Sequence, residues 1–311
     1  MSNKRMSNKG PGETMQNDRK IISRRTILAA GAGMTALPLV SGLAQAQTAA
    51  TETVTTRDIA QQLPLKTYGL EHIGTVVPDV TQAAKFYSRV FNPAIYKEQK
   101  PPLRYYVTLD PGYIALGARD GEDKAFIDHD CALLPVYNRA AMNARLEQEG
   151  LPAGRYGVIP DPDGLGLQLL GAPGGLASST EPAEPVVNEP PLLRPRGLSH
   201  VVRYCSNITA SAAFYRKFFG PEDKGGGPEG YTFHAAKTRW VLQPVPAGEA
   251  PRIDRFGVHV APFDVTATAK AIEGLGGSII ASGEGYLHFK GPEGLAVEVK
   301  AVDPARIWGL G

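Results

Sequence analysis

Leu70-Glu71-His72-Ile73-Gly74-Thr75-Val76-Val77-Pro78-Asp79 reads as an apolar strand that carries one imidazole and ends at a proline, with Asp79 placed to cap a helix. Its outline returns at Leu198-Ser199-His200-Val201-Val202-Arg203-Tyr204. In both copies the histidine is followed 14 residues later by Phe-Tyr (Phe86-Tyr87 and Phe214-Tyr215) and 19 later by a phenylalanine (Phe91 and Phe219). Equal offsets in two distant segments mark a duplicated unit.

Outward from these anchors the chain divides into four modules. Module one continues from its first strand into an amphipathic helix over Val80–Phe91, then β-like runs at Arg104–Leu109 and Gly112–Leu116. Module two restarts at Phe126-Ile127-Asp128-His129-Asp130-Cys131, with a helix over Arg139–Glu149 and a last strand at Leu165–Leu170. A stretch dense in Pro, Gly, Ser and Glu, from Gly171 to about Arg196, reads as a boundary. Module three runs from Leu198 through a helix at Thr209–Phe219 to strands at Gly230–Ala235 and Arg239–Gln243. Module four opens at Arg252-Ile253-Asp254-Arg255-Phe256, with a helix over Val265–Leu275 and a last strand at Leu295–Lys300. Modules two and four share a Pro-acid-Gly hairpin signal, and four residues after its glycine a polar side chain interrupts an apolar strand: Gln168 and Glu298. A carboxylate in such a strand needs a partner, because burying it alone is costly.

Residues 1–46 hold paired arginines (Arg24-Arg25), an apolar Ala/Gly-rich run to Leu43 and the small-x-small end Ala44-Gln45-Ala46. This describes a cleavable twin-arginine export signal, an address read by the export machinery rather than a stable membrane anchor. The expected location is periplasmic or secreted. That segment carries seven Lys/Arg and two Asp/Glu, so the remainder has 26 basic and 29 acidic side chains and a net charge of −3. Nothing in this balance points to nucleic acid. Two cysteines, Cys131 and Cys205, leave one bridge or two thiols open.

The repeated first-strand histidines, the Phe-Tyr helix and the Asp161-Pro162-Asp163-Gly164 hairpin before a Gln/Glu strand resemble the vicinal oxygen chelate superfamily. Glyoxalase I, extradiol ring-cleaving dioxygenases and bleomycin-binding proteins belong to it. The resemblance spans about Leu70 to Val302. It implies an α+β fold of four βαβββ modules paired into two half-open β-barrel domains, residues 66–173 and 197–304. A leader at 47–65 would precede them and a linker at 174–196 would join them.

The resemblance also implies metal ligands on the first strands of each pair and on the last strand of its later module. The first pair then offers His72, His129 and Gln168, the first-choice set. The second offers His200, Arg255 and Glu298, but arginine stays protonated and has no lone pair to donate. Arg255 is instead expected to pair with Glu298 or to receive an anionic substrate group. Cys131, two residues after His129 on a period-two strand, should face the same side and could touch substrate. Ring-cleaving relatives place an acid/base side chain on the strand that here bears Tyr286 and His288. The expected function is an exported glyoxalase/dioxygenase-like metalloenzyme, monomeric or homodimeric. It would use Fe(II), Mn, Ni or Zn on a small substrate that chelates through neighbouring oxygens. The alternative is a metal-free protein that sequesters a small molecule.

Overall fold

The computed structural model describes residues 62–303 except 93, 177–179, 224–226 and 228. The export signal expected over residues 1–46, and most of the leader, lie outside the described residues. Module one comprises β1 (Gly69–Val76), α1 (Val80–Val90), β2 (Ile95–Glu98), β3 (Arg104–Thr108) and β4 (Tyr113–Gly117). Module two comprises β5 (Phe126–Leu134), α2 (Arg139–Gln148), β6 (Val158–Pro160) and β7 (Gly166–Gly171); β8 (Thr180–Pro182) follows. Module three comprises β9 (Pro195–Cys205), α3 (Ile208–Phe219), β10 (Tyr231–Ala235) and β11 (Thr238–Pro244). Module four comprises β12 (Arg252–Val260), α4 (Val265–Gly274), β13 (Ser278–Gly283), β14 (Tyr286–Lys290) and β15 (Ala296–Ala301).

Each of α1 to α4 begins on an Asx residue. Asp79, Asn138, Asn207 and Asp264 each accept a hydrogen bond from the backbone N–H three residues on, a cap worth about 1 kcal/mol. Each first strand pairs in parallel with the last strand of its own module: β1 with β4, β5 with β7, β9 with β11 and β12 with β15. Within each half the two first strands pair antiparallel, β1 with β5 and β9 with β12. The halves meet in one sheet through the register pair Ile253 and Ile127. The result is an open mixed sheet in two half-barrels with few helices, the α+β fold expected.

Two departures matter. Among the described residues, modules two and three have two strands after the helix rather than three. The Pro/Gly-rich boundary is also no free tether: β8 adds to the edge of β2, and Leu193 is buried in the core. Ladder bonds to an existing edge need no apolar face, which is why composition did not reveal β8.

The Phe-Tyr pairs hold the halves together by an exchange. Tyr87 on α1 donates from its hydroxyl to Glu293 in the module-four hairpin. Tyr215 on α3 donates to Asp161 in the module-two hairpin, 3.1 Å away. Between the halves Arg203 of β9 is fully buried. It donates to Asp130 (2.5 and 2.9 Å), Asp161 (3.0 Å) and the Gly166 carbonyl (2.6 Å), while the Trp240 indole donates to Asp130 at 2.8 Å.

Candidate metal centre

Every first strand carries a β-bulge at the same place. In the β1–β5 register Leu70 opposes Ala132 and His72 opposes Cys131, which leaves Glu71 as the extra residue. On the other strand Gly74 opposes His129 and Thr75 opposes Ile127, which leaves Asp128 extra. The β9–β12 pair repeats this with Ser199 and Asp254. A bulge breaks the alternation of side chains. Each extra residue therefore lies beside the functional residue that follows it instead of across the sheet from it.

In the first half, His72 Nδ1 lies 2.5 Å from Glu71 Oε2 and His129 Nδ1 lies 2.9 Å from Asp128 Oδ2. An ionised carboxylate only accepts, so both Nδ1 atoms carry the proton. In the neutral rings the two Nε2 atoms then turn lone pairs towards each other across 3.1 Å. With both rings neutral that contact is repulsive, and a metal ion between the two nitrogens, or a proton on one of them, relieves it. Two imidazoles bound to one metal at about 2.0–2.1 Å bring their nitrogens to roughly this separation. Gln168 faces Cys131 in the β5–β7 register, as His72 does in the β1–β5 register, so the three share one row. Its Oε1 is buried and has no hydrogen-bond partner, a neutral oxygen donor with nothing to accept from. These residues fit a divalent metal.

His72, His129 and Gln168 line one cavity of about 470 Å³ together with Arg104, Tyr106 and Tyr113. Gly74 is required under His129, because a Cβ there would overlap the imidazole ring. Burial pushes His72 below the usual imidazole value, although Glu71 opposes this. Burial works to raise Glu71, yet the hydrogen bond to His72 and those from Gly175 and Tyr113 leave it below its usual range. Asp128 is lowered by His129, and Arg119 adds to this from 2.5 Å.

Glu71, His72 and Cys131 also bring three potential ligand atoms within 4.8 Å of one another. The Glu71 oxygens, however, already accept from His72 Nδ1, the Gly175 N–H (2.6 Å) and the Tyr113 hydroxyl (3.3 Å). Burial pushes the Cys131 thiol well up, away from the thiolate a metal needs. This trio is less suited to a cation than the pair of opposed Nε2 atoms.

In the second half the same row holds His200, Gly257 and Glu298, with Arg255 where the first half has His129. Glu298 is occupied on both oxygens: Arg255 Nε donates to Oε1 at 2.6 Å, and His200 Nε2 lies 3.1 Å from Oε2. Burial works to raise its carboxyl, but His200 and Arg255 prevail and hold it at about 2. Arg255 also donates to Asp254 at 2.8 Å. The guanidinium occupies the carboxylate a metal would need, so His200 and Glu298, the second-choice ligands, form an ion-paired cluster with it.

Besides His200, Arg255 and Glu298, the expected residues Cys131, Tyr286 and His288 lie outside the first cavity. Cys131 is fully buried between His72 and Gln168 and lies outside the cavity lining, so it is not placed to touch substrate there. Both cysteines are free. His288 opposes Glu298 in the β14–β15 register and Tyr286 opposes Lys300, which places both in the second half. Burial lowers His288, and its Nε2 has no hydrogen-bond partner. Glu71, Asp128 and Gly175 were missed from the sequence. The available signal was an acid immediately before two of the repeated imidazoles.

No family model and no curated protein matches this sequence. Solved structures do. An Mn(II)-bound glyoxalase from Novosphingobium aromaticivorans is similar over 79% of this chain and 92% of its own, with a TM-score of 0.53 and 17% identity. A catechol 2,3-dioxygenase covers 76% and 89% with a TM-score of 0.57 and 16% identity. Homoprotocatechuate 2,3-dioxygenase from Arthrobacter globiformis covers 78% and 83% with a TM-score of 0.53 and 15% identity. This chain therefore has the vicinal oxygen chelate fold that glyoxalases and extradiol dioxygenases share.

Proposed function

We propose that the protein is a divalent-metal enzyme of the glyoxalase/dioxygenase type, with its centre in the first half-barrel on His72, His129 and Gln168. The observation that carries this reading is the pair of Nε2 atoms facing each other across 3.1 Å beside a buried, unpartnered amide oxygen. A bound metal would supply Lewis acidity towards two neighbouring oxygens of a small substrate. The rest falls to the chain. Two imidazoles and an amide bring no negative charge, so the centre favours an anionic chelating ligand. Arg104 at the cavity wall is placed to receive a further anionic group, and Tyr106 and Tyr113 flank a flat substrate. Both phenols are raised well above their usual values, chiefly by burial, and stay protonated. Export by the twin-arginine route would deliver the folded, loaded protein to the periplasm.

Elemental analysis of the purified protein beside His72→Ala and Glu298→Ala tests the reading. About one equivalent of metal, lost with His72→Ala and kept with Glu298→Ala, is the expected result. A protein that takes up no metal on reconstitution overturns it and leaves small-molecule binding as the function to pursue.

A further inference from the structure

We infer that Glu71 and Asp128 are positioning residues for the first half-barrel's imidazoles, each holding the Nδ1 edge of the ring that follows it. The inference deepens the metal reading above and rests on it for its affinity arm. The bulge at each of these two positions places a carboxylate against the following Nδ1, at 2.5 and 2.9 Å. Each imidazole is thereby fixed in one tautomer and one ring orientation, with the Nε2 lone pair on the cavity side. Glu71 is itself held by the Gly175 N–H and the Tyr113 hydroxyl. A side chain at Gly175 would overlap that hydroxyl, so the close approach of this backbone is part of the support.

The second half shows what the same position does without this chemistry. Ser199 stands 2.9 Å from His200 Nδ1, and a hydroxyl can donate as well as accept; the proton is drawn instead to Nε2 by the Glu298 carboxylate at 3.1 Å. Asp254 has no imidazole to hold and accepts from Arg255 instead. One bulge geometry, used four times, thus carries acids beside both imidazoles in one half and beside only an arginine in the other.

The test has two arms. In the metal-free protein, long-range proton–nitrogen NMR reads the tautomers directly, and both His72 and His129 should carry the proton on Nδ1. Nε2–H forms would overturn the inference, and this result does not depend on any metal being bound. In the second arm, Mn(II) or Zn(II) is titrated calorimetrically into wild type, Glu71→Gln, Asp128→Asn, Ser199→Ala and His129→Ala. Each acid-to-amide change should weaken binding about 10–100-fold while keeping the stoichiometry, and Ser199→Ala should leave it unchanged. Unchanged affinity in Glu71→Gln overturns the positioning role. Loss of the metal from Glu71→Gln with retention in His129→Ala also overturns it, because Glu71 would then be a ligand. If wild type binds no metal, the metal reading falls and the tautomers alone decide.

Discussion

Gly74 and Gly257 are the smallest residues at the two sites, and each lies under a histidine ring of the neighbouring strand. Gly74→Ala should force the His129 ring aside, weaken metal binding and cost about 1–3 kcal/mol as overpacking. Gly257→Ala should cost a similar amount without changing metal content. Denaturant melts together with elemental analysis separate the two outcomes. Arg255 is the residue that distinguishes the halves, so Arg255→His should let the second half take up a further equivalent of metal; unchanged stoichiometry would refute this. Glu298 also sets a pH dependence. Its folded-state pKa of about 2 lies below the usual 4.5. Its contribution is therefore complete above pH 4.5 and is lost as pH falls towards 2. It amounts to about 2–3 kcal/mol for a group this well paired. Urea titrations at pH 6 and pH 3 should show wild type losing part of that margin, and Glu298→Gln should lose much less.

At the scale of elements, the informative features are the bulged first strands and the helix-to-hairpin exchange. Glu293 reaches over Gly291, where a Cβ would overlap its carboxylate, and so accepts from Tyr87. Asp161 serves Tyr215 from a position two residues earlier in its own hairpin. Different side chains thus reach the same task in the two halves. Burial raises both acids, which makes their hydroxyl partners matter more. Tyr87→Phe and Tyr215→Phe should each destabilise by about 1–2 kcal/mol, because each leaves a buried acceptor with one donor fewer. Equilibrium denaturation measures this, and a change near zero for either would mean that water replaces the hydroxyl.

For the whole molecule, Arg203 is the main ionic tie between the halves. It is fully buried between Asp130 and Asp161, and those charges are tolerable only because each is paired and hydrogen-bonded. Arg203→Met should cost about 3–5 kcal/mol, since two buried carboxylates lose their counter-charge. Thermal unfolding would show it as a large drop in midpoint. Double replacement with Asp130→Asn should recover part of the loss, and failure to recover any would deny the pairing its role.

Much of this architecture could be read from local pattern. The offset from histidine to Phe-Tyr, the capping Asp79, the hairpin glycines and the period-two strands marked out the four modules, while their pairing and the positions of the metal donors were what the family resemblance implied. Local periodicity is written in neighbouring residues and needs no partner to be read. What depended on register could not be read that way. Strict alternation puts Glu71 and Asp128 across the sheet from the imidazoles they hold, and only pairing with the opposite strand creates the bulges. Alternation likewise put Cys131 on the cavity side, where His72 and Gln168 on the flanking strands cover it. Arg203 is one charge in an apolar strand, and only the fold brings Asp130 and Asp161 to it from the other half. The sequence by itself determined the repeat, the elements and the ligand chemistry on offer. Tertiary structure decided which side chains meet, because strand register and the contact between halves depend on residues far apart in the chain.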